Sequence, residues 1–225
     1  MEIILCNGRQ QSRQGNRRVE LAVFQEYKIP QLPLRQVVSN TFGELMFYEK
    51  KLPDYTIRYR LFNIKENVNV KITGNMRSPG LFFNMWGSIN FARDGQPRRF
   101  MDSFDYYLDR TLGGTLEAWL EKDRQYGFLN ISFPMSYFKP VVDPLRKWAI
   151  LSACLYDSHS ALPPKEFHHA NIGMIQEAQK IIHCPHDCYA PKLYLESVVN
   201  ALLLDTIDKS MRTQENTDHI CNTDI

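Results

Sequence analysis

Histidine is missing from most of this 225-residue chain: the first of its six is His159. Whatever the preceding residues build can therefore hold no histidine-ligated metal. A strong charge of one sign is missing too. Lys and Arg number 27 against 25 Asp and Glu, and a net +2 gives no field that predicts nucleic-acid or membrane binding. No apolar run approaches the ~20 residues that cross a bilayer. The opening "MEIILCNGRQQSRQGNRR" has too short an apolar segment, and no small-residue cleavage site, for a secretory signal. Five scattered cysteines, an odd number, do not make a disulfide framework and suit a reducing compartment. The expectation is a cytoplasmic protein with no membrane contact. A P-loop, a glycine-rich dinucleotide turn and a Gly-x-Ser-x-Gly elbow are absent, which removes the commonest phosphate, dinucleotide and acyl-transfer chemistries.

Apolar residues, by contrast, make up 44%, with 13 Phe and 11 Tyr, enough for a substantial globular core. From Gly43 to Phe133 the pattern has period two. Tyr55, Ile57, Tyr59 and Leu61 share a face against Arg58 and Arg60, and Val68, Val70 and Ile72 alternate with Asn67, Asn69 and Lys71. Leu81, Phe83, Met85, Ile89 and Phe91 fall on one face, as do Phe104, Tyr106 and Leu108 against Asp105 and Asp109. Leu116, Ala118 and Leu120 alternate with Glu117, Trp119 and Glu121, and Leu129, Ile131 and Phe133 oppose Asn130 and Ser132. Each stretch reads as a half-buried strand with one wet face. Joined by short turns with no helical pattern between them, they predict an antiparallel barrel or sandwich and argue against a parallel sheet.

Before this unit, Gln10 to Arg18 is polar and basic without apolar period, and "IPQLPL" resists regular structure because proline fixes φ and donates no hydrogen bond. Residues 1–41 therefore read as an arm and an irregular segment, with Arg9, Arg13, Arg17 and Arg18 as a candidate moving part over a ligand or partner. After Phe133 the period changes. "DPLRKWAILSACL" opens with Asp143 as a candidate N-cap and Pro144 at the first helical position. "NIGMIQEAQKII" sets Ile172, Ile175, Ala178, Gln179 and Ile182 near one stripe. Pro191 starts a helix to Met211 in which Leu195, Val198, Val199, Leu202 and Leu203 follow at helical spacing, widened by Leu193, Tyr194, Leu204 and Ile207. So wide an apolar surface is expected to meet either a second copy or more of its own chain. Residues 134–211 read as a helical unit and 212–225 as a polar linker.

The segment "HCPHDCYAPKLYLE" places two cysteines and two histidines within six residues. A structural zinc needs four ligands converging tetrahedrally, usually as two separated pairs. Here three residues separate Cys184 from Cys188, and all the candidate ligands come from one short run. Pro185 stops one helix and Ala190-Pro191 begin the next, so Cys184 reads better as a small buried hydrophobe at a join. No metal and no cofactor is assigned.

The run "IIHCPHDCYAPKLYLESVVNALL" resembles the end of the N-terminal regulatory domain in a branch of AraC-family transcription regulators, where a Cys-Pro turn precedes a Leu-Tyr-Leu-Glu helix. Cys184 and Pro185 match the turn, and Leu193, Tyr194, Leu195 and Glu196 the helix opening. "FGELMFYEKKLPDYTIRYRLFNI" is similar to the branch's first two strands, "LFFNMWGSINF" to its central strand broken by Gly87, and "LNISFPMSYFKPV" to its strand-to-helix junction. The resemblance covers roughly residues 42 to 210. It departs at Cys188, where the branch usually has glycine, and at Ser132, where it often has histidine.

The resemblance implies an α+β chain. A cupin-like antiparallel barrel or sandwich over 42–133 would sense a small molecule, and a C-terminal helical unit would dimerise. DNA would be bound only through a helix-turn-helix domain that these residues do not contain. On the period-two reading, the inward faces offer Tyr59, Phe83, Met85 and Tyr106 as the ligand-binding lining. Leu195, Val199, Leu202 and Leu203 are the expected contacts of a homodimer. The effector is not specified; some relatives answer to iron–siderophore complexes. No catalytic residue is assigned and no enzymatic activity is expected. Two other readings stay open: a dimerisation module with a filled barrel, and a cupin-like enzyme, against which the missing barrel histidines argue.

Overall fold

The computed structural model describes residues 2–7, 10–13, 32–93, 95–109, 112–142, 167–183 and 190–221. Two antiparallel sheets face each other. The first runs in the order β2-β1-β6-β11-β8-β9 and the second β13-β10-β7-β12-β5-β4-β3. The strands of the first are β1 Glu2–Asn7, β2 Gln10–Arg13, β6 Val68–Arg77, β8 Ile89–Arg93, β9 Arg99–Met101 and β11 Leu112–Leu120. Those of the second are β3 Leu34–Asn40, β4 Gly43–Lys51, β5 Thr56–Ile64, β7 Gly80–Trp86, β10 Asp105–Asp109, β12 Arg124–Ser132 and β13 His168–His169. Among the described residues three helices follow the main strands: α1 Met135–Val142, α2 Ile172–Ile182 and α3 Pro191–Cys221. The chain is thus α+β, an antiparallel sandwich followed by C-terminal helices.

Two cores result, one on each side of the second sheet. Phe47, Phe62, Phe82 and Phe128 of that sheet meet Val70, Ile89, Phe91 and Ala118 of the first, filling the sandwich interior. On its other side Tyr59, Leu81, Phe83, Tyr106 and Ile131 meet Met174, Ala178 and Ile181 of α2 and Leu195, Val199 and Leu203 of α3. The second sheet is therefore buried on both faces, which is why β7 carries apolar residues consecutively rather than alternately.

Several local expectations change. Leu81, Phe83 and Met85 do not share a face with Ile89 and Phe91: the chain turns at Gly87 (φ +85°), β7 and β8 lie in different sheets, and the two groups fall in different cores. A Cβ at Gly87 would lie 2.5 Å from the Gln125 carbonyl, so this crossing between sheets needs glycine. The N-terminal segment is not all irregular. Gln10–Arg13 pairs with Glu2–Asn7 as a hairpin on β6, and β3 begins at Leu34, before the expected sandwich boundary. The remainder of the basic arm, Gln14 to Arg18, lies outside the described residues, as do Arg9 and the helix expected from Asp143. In α2 the buried residues are Met174, Ala178, Ile181 and Ile182, while Ile172 is exposed; Asn171 caps the helix by accepting from the Met174 N–H at 2.9 Å. Nor does the helix end at Met211: α3 continues through Cys221, across most of the expected linker.

Candidate functional site

All eight residues assigned to two separate roles come together in one layer, between the second sheet and the helices. Tyr106, Phe83, Leu129, Tyr59 and Tyr48 are successive cross-strand partners, so they form one row over β10, β7, β12, β5 and β4. Tyr106 stacks on Phe83 with centroids 5.0 Å apart, and Tyr59 meets Trp86 edge-on at 5.9 Å. Met85 stands two residues along β7 from Phe83. These four lie on the helix side of the sheet, not in the sandwich interior, which corrects the assumed facing. The period-two pattern identifies the pair of faces; it does not say which one looks inward when both are covered.

Leu195, Val199, Leu202 and Leu203 complete that layer from α3, each 0% exposed in the single chain. They are core residues and present no surface to a second copy. The wide apolar stripe is explained by burial against the sheet, and among the described residues the large apolar side chains that α3 leaves exposed are Leu193 and Leu204.

The layer is apolar but encloses unsatisfied polar groups. The hydroxyls of Tyr55, Tyr59 and Tyr106 are buried without a hydrogen-bond partner. Burial pushes all three phenols well above their ordinary range; Glu196 adds to this at Tyr55, Tyr48 at Tyr59 and Asp205 at Tyr106. Each is a neutral phenol able to donate or accept one bond.

The sandwich interior has a different character. Phe62 and Ile64 of β5 face it, and so, at the same parity, do Arg58 and Arg60. Their charge and alternation with Ile57 and Tyr59 predict a wet face, whereas the structure turns them toward the sandwich interior. Arg58 is 18% exposed; its Nε donates to Glu49 Oε2 at 2.8 Å and its Nη1 to Ser132 Oγ at 3.0 Å. Ser132 in turn donates to Asn130 Oδ1 at 3.1 Å. Glu49, Arg58 and Asn130 are register partners over β4, β5 and β12, so this network is a polar row near the Lys51–Thr56–Ser132 end of the interior. Arg60 occupies the next inner row, between its partners Phe47 and Phe128. Below and beside the arginines runs a chain of rings, Phe47–Phe62–Phe128–Phe82–Tyr107–Phe167, with consecutive centroids 5.1 to 5.8 Å apart. At the far side Arg99 lies 4.2 Å over Phe167.

Guanidinium groups set among aromatic rings recognise anions and flat surfaces; they supply neither a nucleophile nor a general base near neutral pH. The sequence contained a signal for this interior. Arg58 and Arg60 share their parity with Phe62, and Asn130 with Phe128, so neither face of β5 or β12 is wholly polar.

His183 caps α2 with an exposed side chain, whereas Cys184 to Tyr189 lie outside the described residues. Among the described residues no group of three or more His, Cys, Asp or Glu is placed to hold a metal ion, and no helix is long and apolar enough to cross a membrane.

No family model matches this chain, and no curated protein is similar to it in sequence. Solved structures resemble parts of it at low identity. The DMSP lyase DddQ from Ruegeria pomeroyi DSS-3 is 14% identical with a TM-score of 0.30, over 37% of this chain and 40% of that one. The Cnp3 cupin domain of Schizosaccharomyces pombe is 12% identical with a TM-score of 0.34, over 48% and 68%. A Cupin 2 conserved barrel domain protein from Salinispora arenicola CNS-205 is 10% identical with a TM-score of 0.35, over 57% and 96%. This chain thus spans less than half of the lyase's length.

Proposed function

We propose that this chain is the ligand-sensing and dimerisation domain of an AraC-type transcription regulator, coupling a small-molecule effector to DNA binding by a helix-turn-helix domain outside these residues. One observation carries the reading: β5 and β12 are shared walls. Their inner faces bear Arg58, Arg60, Asn130 and Ser132, and their outer faces bear Ile57, Tyr59, Leu129 and Ile131 under α2 and α3. A ligand engaging the first set acts on strands that the second set packs against the helices. If the two arrangements of that packing differ in affinity for the ligand, binding shifts their populations, and α3 carries the change toward the C-terminal side.

Pairing of two copies belongs to the same proposal. With Leu195, Val199, Leu202 and Leu203 committed to the core, Leu193 and Leu204 are, among the described residues, the large apolar side chains of α3 left exposed to meet a partner.

The reading is tested by thermal-shift screening of the 225-residue chain against small metabolites and siderophores. A sensor gains stability with ligand by mass action, about 2.7 kcal/mol at a hundred times Kd. A melting temperature unchanged across the library would mark a filled scaffold instead, and turnover of any compound would mark an enzyme.

A further inference from the structure

We infer that residues 167–170 are a strap that ties the position of α2 to the seating of the Phe167 ring between the two sheets. The strap links the two cores by a route separate from β5 and β12, and it holds whether or not the chain senses a ligand. β13 is the outermost strand of the second sheet, paired with β10 through Asp105↔His169 and Tyr106↔His168. Alternation along this segment sends its side chains to opposite cores. The Phe167 ring packs on the sandwich interior, 5.3 Å from Phe91 of β8 and 5.6 Å from Tyr107 of β10. The Arg99 guanidinium of β9 lies 4.2 Å over it, so the ring bridges the two sheets. His168 lies on the other side, its ring 5.6 Å from that of Tyr106, and Ala170 is buried in the helix layer.

The link is short, and each of its residues is held. Ala170 donates its N–H to the Phe104 carbonyl at 3.0 Å, and His169 Nδ1 pairs with Asp105 Oδ1 at 2.9 Å. Asn171, the next residue, is the N-cap of α2, whose Met174 and Ala178 are buried in the helix layer. Only Ala170 stands between β13 and that cap. From Phe167 to Asn171 the extended chain spans at most about 13 Å, which leaves no slack to absorb a movement. The His169 side chain is 67% exposed, and exposed ion pairs contribute little. The ring contacts dominate, so Phe167 is the anchor. A two-residue strand at a sheet edge opens at a lower free energy than the whole fold. When the ring leaves its seat, the cap of α2 is released with it.

The test is amide hydrogen exchange, read by NMR on the full 225-residue chain. The reporters are Ala170, Met174 and Ile175, whose N–H groups donate to the Phe104 carbonyl, Asn171 Oδ1 and the Asn171 carbonyl. Leu129, buried on the central strand β12, reports global unfolding. Phe167→Ala should speed all three reporters about tenfold or more. Phe47→Leu, in the same interior but on β4 at the other side of the sheet, should speed Leu129 and leave the three unchanged. Phe167→Leu keeps an apolar side chain and covers the case in which Phe167→Ala does not fold; it should give the same pattern at smaller size. His169→Gln should speed the three about two- to threefold. Faster exchange at Ala170 without Met174 and Ile175 overturns the inference, because the strap then opens without the helix. So do equal changes in Phe47→Leu and the Phe167 variants, no change in the Phe167 variants, or a larger effect of His169→Gln than of Phe167→Ala.

Discussion

Replacing Tyr106 by phenylalanine should make the protein more stable, although the residue is 0% exposed and stacked on Phe83. In the unfolded chain its hydroxyl bonds to water; in the fold it has no partner. Leaving such a group unpaired costs about 1–3 kcal/mol. Phenylalanine removes that cost and keeps the ring, at the loss of the few tenths of a kcal/mol in dispersion that one oxygen contributes. The net expected gain is about 0.5–1.5 kcal/mol, or a few degrees in Tm for a chain of this length. Tyr59→Phe should gain similarly. The two positions are separated by three strand spacings, about 14 Å, so their effects should add in the double variant. Tyr137 and Tyr126 are the internal controls. Tyr137 donates to Asn200 Oδ1, and the Tyr126 hydroxyl accepts from the Glu121 N–H at 2.8 Å. Phenylalanine at either should cost about 0.5–1.5 kcal/mol. Urea unfolding at about 25 °C, followed by tryptophan fluorescence, measures the whole set. If Tyr59→Phe and Tyr106→Phe lose stability as the controls do, the two hydroxyls are satisfied and the description of this layer is wrong.

The same phenols set an alkaline limit. Their folded-state pKa values are raised by burial, so the fold favours the protonated form. This contribution is fully present below the unfolded value of about 10 and is lost as pH rises above it. Unfolding free energy measured from about pH 8 to pH 11.5 should therefore fall above about pH 10, less steeply in the double phenylalanine variant. Gly127→Ala should cost about 1–3 kcal/mol, because a Cβ there would lie 2.5 Å from the Trp86 ring that packs on Tyr59; denaturant titration checks it. Leu203→Asp should cost about 4 kcal/mol or more and leave an unfolded chain by circular dichroism. Leu204→Asp, at a 47% exposed site on the same helix, should stay folded, and sedimentation should find it shifted toward monomer.

Period-two alternation made the strands legible, and the change of period after Phe133 announced the helices. What it could not supply was which face of β5, β7 or β12 is the interior. In a sheet covered on one side, polarity answers that question. In this sheet both sides are buried, so Tyr59 and Phe62 look alike from the sequence although they belong to opposite cores. Arg58 misled for the same reason: its charge reads as solvent-facing, while Glu49 and Ser132 hold it within the sandwich. The α3 stripe was recognised as apolar, but a stripe records that something covers it and not what does. The N-terminal hairpin is not legible in the sequence because Gln10 to Arg13 has no apolar rhythm; its strand character shows only in its backbone pairing with Glu2–Asn7.

Hydrogen exchange of the chain with and without its tightest-binding ligand tests the central claim most directly, because β5 and β12 touch both the interior and the helix layer. The expected result is added protection of the amides of Thr56–Ile64 and Arg124–Ser132, together with an altered rate in α3. Protection confined to the outer face of the first sheet, with β5, β12 and α3 unchanged, would contradict that coupling.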